Sequence, residues 1–86
     1  FSPLDKLLSD IDAAIAAGDF ERALSIARHG KSIYGADQGL LMRLSRCYYA
    51  NNLLEESKQT LQQLLKKSPS YGPAYNLRAL VDLCLG

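Results

Sequence analysis

Few side chains in this sequence could carry out covalent or acid–base chemistry. They are the two cysteines Cys47 and Cys84, the single histidine His29, and the close acidic pairs Asp10/Asp12 and Glu55/Glu56. A general base or a triad needs partners within hydrogen-bond reach, and His29 has no Cys, His or carboxylate set spaced to meet it. The acidic pairs sit one or two positions apart, so on a helix they diverge rather than converge on a substrate. The cysteines form no CxxC and no Cys/His cluster, so they read as two buried, reduced thiols, with a disulfide or a reactive thiol as the alternative. Reduced thiols fit a cytoplasmic setting, although nothing else in the chain gives an address. There is also no glycine-rich phosphate loop. The expectation is a non-catalytic chain with no cofactor and no metal-ligand set.

Composition narrows the class further. The 86 residues are 48% hydrophobic, which is globular rather than disordered. Ten Lys and Arg against nine Asp and Glu leave a formal charge of +1. That balance gives no pull toward nucleic acid or an anionic membrane. An aromatic content of 8% argues against base-stacking platforms. No apolar run approaches the ~20 residues of a membrane helix. Phe1 stands where an initiator Met would, and no basic segment leads into an apolar one, so Phe1 reads as a cut end of a longer or processed chain.

The elements that must position any site are helices. Ser2-Pro3-x-Asp5 is a helix start, with a capping serine, a proline at the first helical position and an acid three after the cap. Leu4, Leu7, Leu8, Ile11, Ala14 and Ile15 follow at helical spacing. Gly18-Asp19 breaks this helix, and Asp19 caps a second whose stripe is Phe20, Ala23, Leu24 and Ala27, extending to Ile33 and Tyr34. Gly30 interrupts that stripe, either through fraying or, as the reading favoured here, because a close helix crossing leaves no room for a side chain. Asp37 caps a third helix carrying Leu40, Leu41, Leu44, Cys47, Tyr48 and Tyr49. Asn52 with Glu55 resembles a capping box for a fourth, which presents Leu53, Leu54, Ser57, Leu61, Leu64 and Leu65 inward and ends at Ser68-Pro69. A fifth starts near Gly72-Pro73 and is apolar almost all round, with Tyr75, Leu77, Ala79, Leu80, Val81, Leu83 and Leu85. No stretch alternates with period two, so the fold class is all-α.

The chain repeats itself. Gly18, Asn52 and Gly86 stand thirty-four positions apart at successive helix turns. Ile15 aligns with Tyr49, Ala23 with Ser57, Ala27 with Leu61, and Leu7 with both Leu41 and Tyr75. In the stretch Leu41–Pro69 the skeleton Leu41, Leu44-Ser45, Tyr48, Ser57, Leu61, Pro69 resembles one tetratricopeptide repeat, whose period is about 34 residues. Gly18-Asp19-Phe20-x-x-Ala23 looks like that family's turn. The first repeat departs from the pattern at Asp10-Ile11 and Ala14, and the third at Arg78-Ala79 and Asp82. A plain helical-hairpin bundle, or a half-a-tetratricopeptide or Sel1-like repeat, is the competing reading. The resemblance implies a right-handed α-solenoid of antiparallel helix pairs in one domain over 1–86: a repeat at 4–37, a repeat at 38–71 and a half repeat at 72–86. Each pair buries its open side against the next. The fifth helix is left without a hairpin partner and is more apolar than a terminal cap. Continuation into further repeats is the favoured explanation, and docking of this face on another chain is the other.

By the same resemblance, the first helix of each pair lines a concave groove that takes a peptide or helix of a partner protein. The implied lining is Asp5, Leu8, Asp12 and Ile15, then Met42, Arg46, Tyr49 and Ala50, then Asn76, Leu80 and Leu83. Arg46 and Tyr49 are of the types that dominate binding energy, although Tyr49 also reads as core filling beside Tyr48. Chaperone-binding members clamp a terminal carboxylate with Lys and Asn. The matching positions here are Leu8, Asp12, Met42 or Arg43, and Pro73, with Asn76 or Leu77 nearby, and the chemistry is wrong apart from Arg43 and Asn76. The expected role is a protein-interaction scaffold without nucleic-acid or membrane partners. An accessory repeat region of a larger enzyme, or self-association through the last helix, are the alternatives.

Overall fold

A computed structural model describes residues 2–86; Phe1, read above as a cut end, lies outside the described residues. Five helices follow one another: α1 (Pro3–Ala16), α2 (Phe20–Tyr34), α3 (Gln38–Ala50), α4 (Leu54–Lys67) and α5 (Gly72–Leu85). No strand occurs among the described residues. The first three helices are capped as the sequence predicts. Ser2 and Asp5 form a reciprocal capping box, with the Asp5 N–H donating to Ser2 Oγ at 3.1 Å and the Ser2 N–H to Asp5 Oδ2 at 3.3 Å. Asp19 accepts from the Arg22 N–H and Asp37 from the Leu40 N–H.

The α4 start differs from the expectation. Asn52 is not its cap; Leu53 takes that place, with no side-chain hydrogen bond. Asn52 instead adopts the left-handed conformation at φ 61, the same role that Gly18 plays at φ 76 in the first pair. The backbone bonds match as well. Gly18 and Asp19 donate to Ile15 and Ala14, and Asn52 and Leu53 donate to Tyr49 and Tyr48. This is the bonding of a Schellman turn, which needs one left-handed residue, and Asn adopts that conformation more readily than other residues with a Cβ. The 34-residue register is therefore a register of backbone geometry as well as residue type.

Packing proceeds pair by pair: α1 on α2, α2 on α3, α3 on α4, α4 on α5. Two apolar clusters result. The first joins Ile11 and Ala14, Ala23, Leu24 and Ala27, and Leu40, Leu44 and Cys47. The second joins Leu41 and Met42, Leu61, Leu64 and Leu65, and Ala74, Leu77 and Val81. Only α3 has buried residues in both. The small residues in the second helices allow close approach. Gly30 is buried, and a Cβ there would stand 2.2 Å from Leu7 Cδ2, so the close-crossing reading holds. Ser57, in register with Ala23, is fully buried and donates its hydroxyl to the Ser45 carbonyl at 2.9 Å. Asn51 binds the repeats together from the turn, donating to the carbonyls of Cys47 and Phe20.

Several burial expectations fail, beginning with Phe20, which heads the α2 stripe but is exposed. Ile33 and Tyr34 are exposed rather than part of the α2 stripe, because the chain turns away at Gly35 before another helix covers them. Cys47 is buried but Cys84 is exposed. Cys84 continues the inward stripe of Ala74, Leu77 and Val81, but it reaches only the last turn of α3, where it meets Tyr49. No helix among the described residues is long and apolar enough to cross a membrane.

Candidate functional site

The two sides of the stack are not equivalent. α1 touches α3 and α3 touches α5, whereas α2 and α4 do not approach each other closely. Lys31 Nζ on α2 spans the gap to Gln63 Oε1 on α4 at 3.3 Å, and Lys67 Nζ of α4 donates to the Ala36 carbonyl in the loop after α2. First helices that converge while second helices splay make the α1–α3–α5 side the inner one. Each residue expected to line a groove sits on one of these three helices.

Their surroundings differ. Asp5 is occupied in the α1 capping box. Leu8 and Ile15 are half-buried against the first cluster, and Leu8 lies in the α1–α3 seam, 3.5 Å from where a Cβ of Gly39 would stand. Asp12 pairs with Arg43 through two parallel bonds of 3.0 Å, Nε to Oδ1 and the terminal nitrogen to Oδ2. Arg43 also donates to the Gly39 carbonyl. This fork bridges α1 and α3 and compensates the Asp12 charge. By the resemblance Arg43 is only a clamp position. The 34-residue register leads from Asp12 to Arg46, whereas Arg43 stands thirty-one positions on, so the sequence held no signal for this pair.

Tyr49 is half-buried against the second cluster and lies beside Cys84. The neighbouring Cys84 side chain, chiefly by hydrogen bonding and then by its charge, raises the phenol pKa. Burial pushes the Cys47 thiol from its ordinary 9.0 up to about 11, against a smaller opposing pull from Arg46. Leu83 is 79% exposed and Ala50 is exposed.

Four of the predicted residues meet in one place. Met42 and Arg46 of α3 and Asn76 and Leu80 of α5 line an open depression of about 250 Å³, together with Pro73 and Leu77. Met42 contributes from a nearly buried position, while Leu80 is 48% exposed. Asp5, Leu8, Asp12, Ile15, Tyr49 and Leu83 do not reach this depression. A second, smaller hollow at the α1–α2 turn is lined by Asp10, Ala13, Ala14, Ala17, Asp19 and Arg22. There the Asp19 carboxylate is occupied by the cap. Among the described residues no group of three or more His, Cys, Asp or Glu side chains could hold a metal ion. His29 is exposed and its carbonyl accepts from Ser32 Oγ.

Comparison with curated proteins and with solved structures gives no significant match. A family described as Tetratricopeptide repeat matches residues 14–81, from the last turn of α1 through most of α5. That span holds both left-handed turns, the second apolar cluster, the first apart from Ile11, and the depression between α3 and α5. Helix pairs stacked at a 34-residue register, with first helices converging on one side, carry the same message as the match: this chain belongs to the tetratricopeptide repeat family.

Proposed function

We propose that the chain is a non-catalytic protein-interaction module whose inner face, on α1, α3 and α5, binds an extended or helical segment of a partner protein. The observation that carries this reading is the open depression of Met42, Arg46, Pro73, Asn76, Leu77 and Leu80. It sets apolar surface beside two polar side chains at a helix–helix seam, which is the character of a peptide groove. Membership of a family of protein-binding repeats supports it. The Asp12–Arg43 fork closes the α1–α3 seam, so the α3–α5 seam is the place to engage a partner.

A random dodecapeptide library displayed on phage and selected on the purified chain tests the reading. Selected peptides should perturb the backbone amide resonances of α3 and α5 around Arg46, Asn76 and Leu80. Perturbation centred on α2 and α4 would place binding on the outer side and defeat the proposal. The exposed Tyr75, Leu83 and Leu85 favour a second reading, self-association through α5. Sedimentation that finds only monomer at high concentration would remove it.

A further inference from the structure

The depression between α3 and α5 carries an uncompensated cation. Three acids on the inner helices are already engaged. Asp12 holds Arg43 at 3.0 Å, Asp82 faces Arg78 at 3.9 Å, and Asp5 closes the α1 cap. Arg46 is exposed and has neither a hydrogen-bond nor an ion-pair partner among the described residues. Asn76 lines the same depression and its amide is equally unengaged among the described residues. A guanidinium fork and a carboxamide N–H₂ both offer donors, and together they suit a planar carboxylate. The remaining lining, Met42, Pro73, Leu77 and Leu80, is apolar.

We infer that this depression recognises an internal Asp or Glu of the bound segment, with a large apolar residue beside it resting on the exposed Pro73 and Leu80, above the buried Met42 and Leu77. The inference rests on the proposed inner-face function and specifies its partner. One guanidinium matches one carboxylate charge; a dianionic phosphate would leave a charge unpaired. The source is an internal acid rather than a chain end because the depression is open, and the exposed apolar surface continues along α5 from Leu80 to Leu83, so the bound chain has surface to follow on past the acid.

The same phage selection supplies the probes. Asp or Glu next to Leu, Ile, Met or Phe should be enriched in the selected dodecapeptides. Synthetic amidated versions should lose about five- to ten-fold in affinity when the acid becomes Gln or Asn. The difference should shrink between 0.05 and 1 M NaCl, about as ionic screening requires. With Arg46→Gln, acid and amide peptides should bind within two-fold of each other, while Leu80→Ala weakens both alike. If the peptides map to α3 and α5 but show no acidic enrichment, or if Arg46→Gln keeps the preference, this inference is overturned and the inner-face function stands. A requirement for a free C-terminal carboxylate or for a phosphorylated residue overturns it in the same way. Peptides that map to α2 and α4, or a selection that yields none, defeat both.

Discussion

Gly30→Ala would place a methyl group where Leu7 already sits. The new Cβ would lie 2.2 Å from Leu7 Cδ2, 3.3 Å from Leu7 Cγ and 3.4 Å from Leu40 Cδ1. Ordinary carbon–carbon contact is about 3.5–4.0 Å, so the Leu7 side chain must move by more than about 1 Å. Two effects of opposite sign compete. Alanine in place of glycine inside a helix stabilises by about 1 kcal/mol. Overpacking an occupied site costs about 1–3 kcal/mol. Leu7 is only half-buried and can partly yield, which keeps the penalty near the middle of that range. The expected balance is a net loss of about 1 kcal/mol. In a Leu7→Ala background the two closest atoms are gone, and the third, Leu40 Cδ1 at 3.4 Å, is at a distance a neighbour tolerates. There the same Gly30→Ala change should stabilise by about 0.5–1 kcal/mol. Urea unfolding followed by far-UV circular dichroism on the four proteins of this cycle gives the coupling directly, expected at about 1.5–2 kcal/mol with unchanged denaturant slopes. If Gly30→Ala raised the midpoint equally in both backgrounds, Leu7 would not be what excludes a side chain at position 30.

Other perturbations have equally definite signs. Asn52→Gly should leave the thermal midpoint nearly unchanged, while Asn52→Val should cost about 1–2 kcal/mol because a β-branched residue is strained at φ 61; equal effects from the two would argue against the left-handed turn. Iodoacetamide under native conditions should label Cys84 and spare Cys47, with a second adduct appearing only in urea, and rapid double labelling of the folded chain would contradict the burial of Cys47. Because folding keeps the Cys47 thiol protonated up to about 11, against an ordinary 9.0, the unfolded chain gives up this proton first as pH rises. This thiol's contribution is therefore fully present below pH 9.0 and is lost between 9.0 and about 11. Denaturant midpoints across that window should fall more steeply for the native sequence than for Cys47→Ala, and parallel curves would refute the assignment.

Much of the architecture was legible because repetition states each packing decision twice. Ala23 and Ser57, or Ala27 and Leu61, are informative as pairs at a fixed period, although none is informative alone. What escaped the sequence depended on neighbours. Asparagine serves both at caps and in left-handed turns, and only the backbone assigns Asn52 to the turn. Cys84 lies on the correct stripe of α5, but a stripe is buried only where a second helix reaches it. The Asp12–Arg43 fork joins side chains on different helices, and neither residue type identifies its partner in advance. Within the expected inner-face positions, the sequence could not separate those engaged in the α1–α3 seam from those left open between α3 and α5. That distinction rests on side-chain geometry rather than on residue type or spacing.

The placement of α3 in both apolar clusters has a consequence for how the chain comes apart. Leu40, Leu44 and Cys47 hold it to the α1–α2 pair, while Leu41 and Met42 hold it to α4 and α5. Loss of either end strips one flank of α3 and leaves the other flank packed. Loss of α3 strips a flank from both clusters at once, because among the described residues no other helix contributes buried residues to both. The most favourable route for disassembly therefore runs inward from the ends, and a defect placed in α3 acts on the whole chain where the same defect in α1 or α5 acts on part of it.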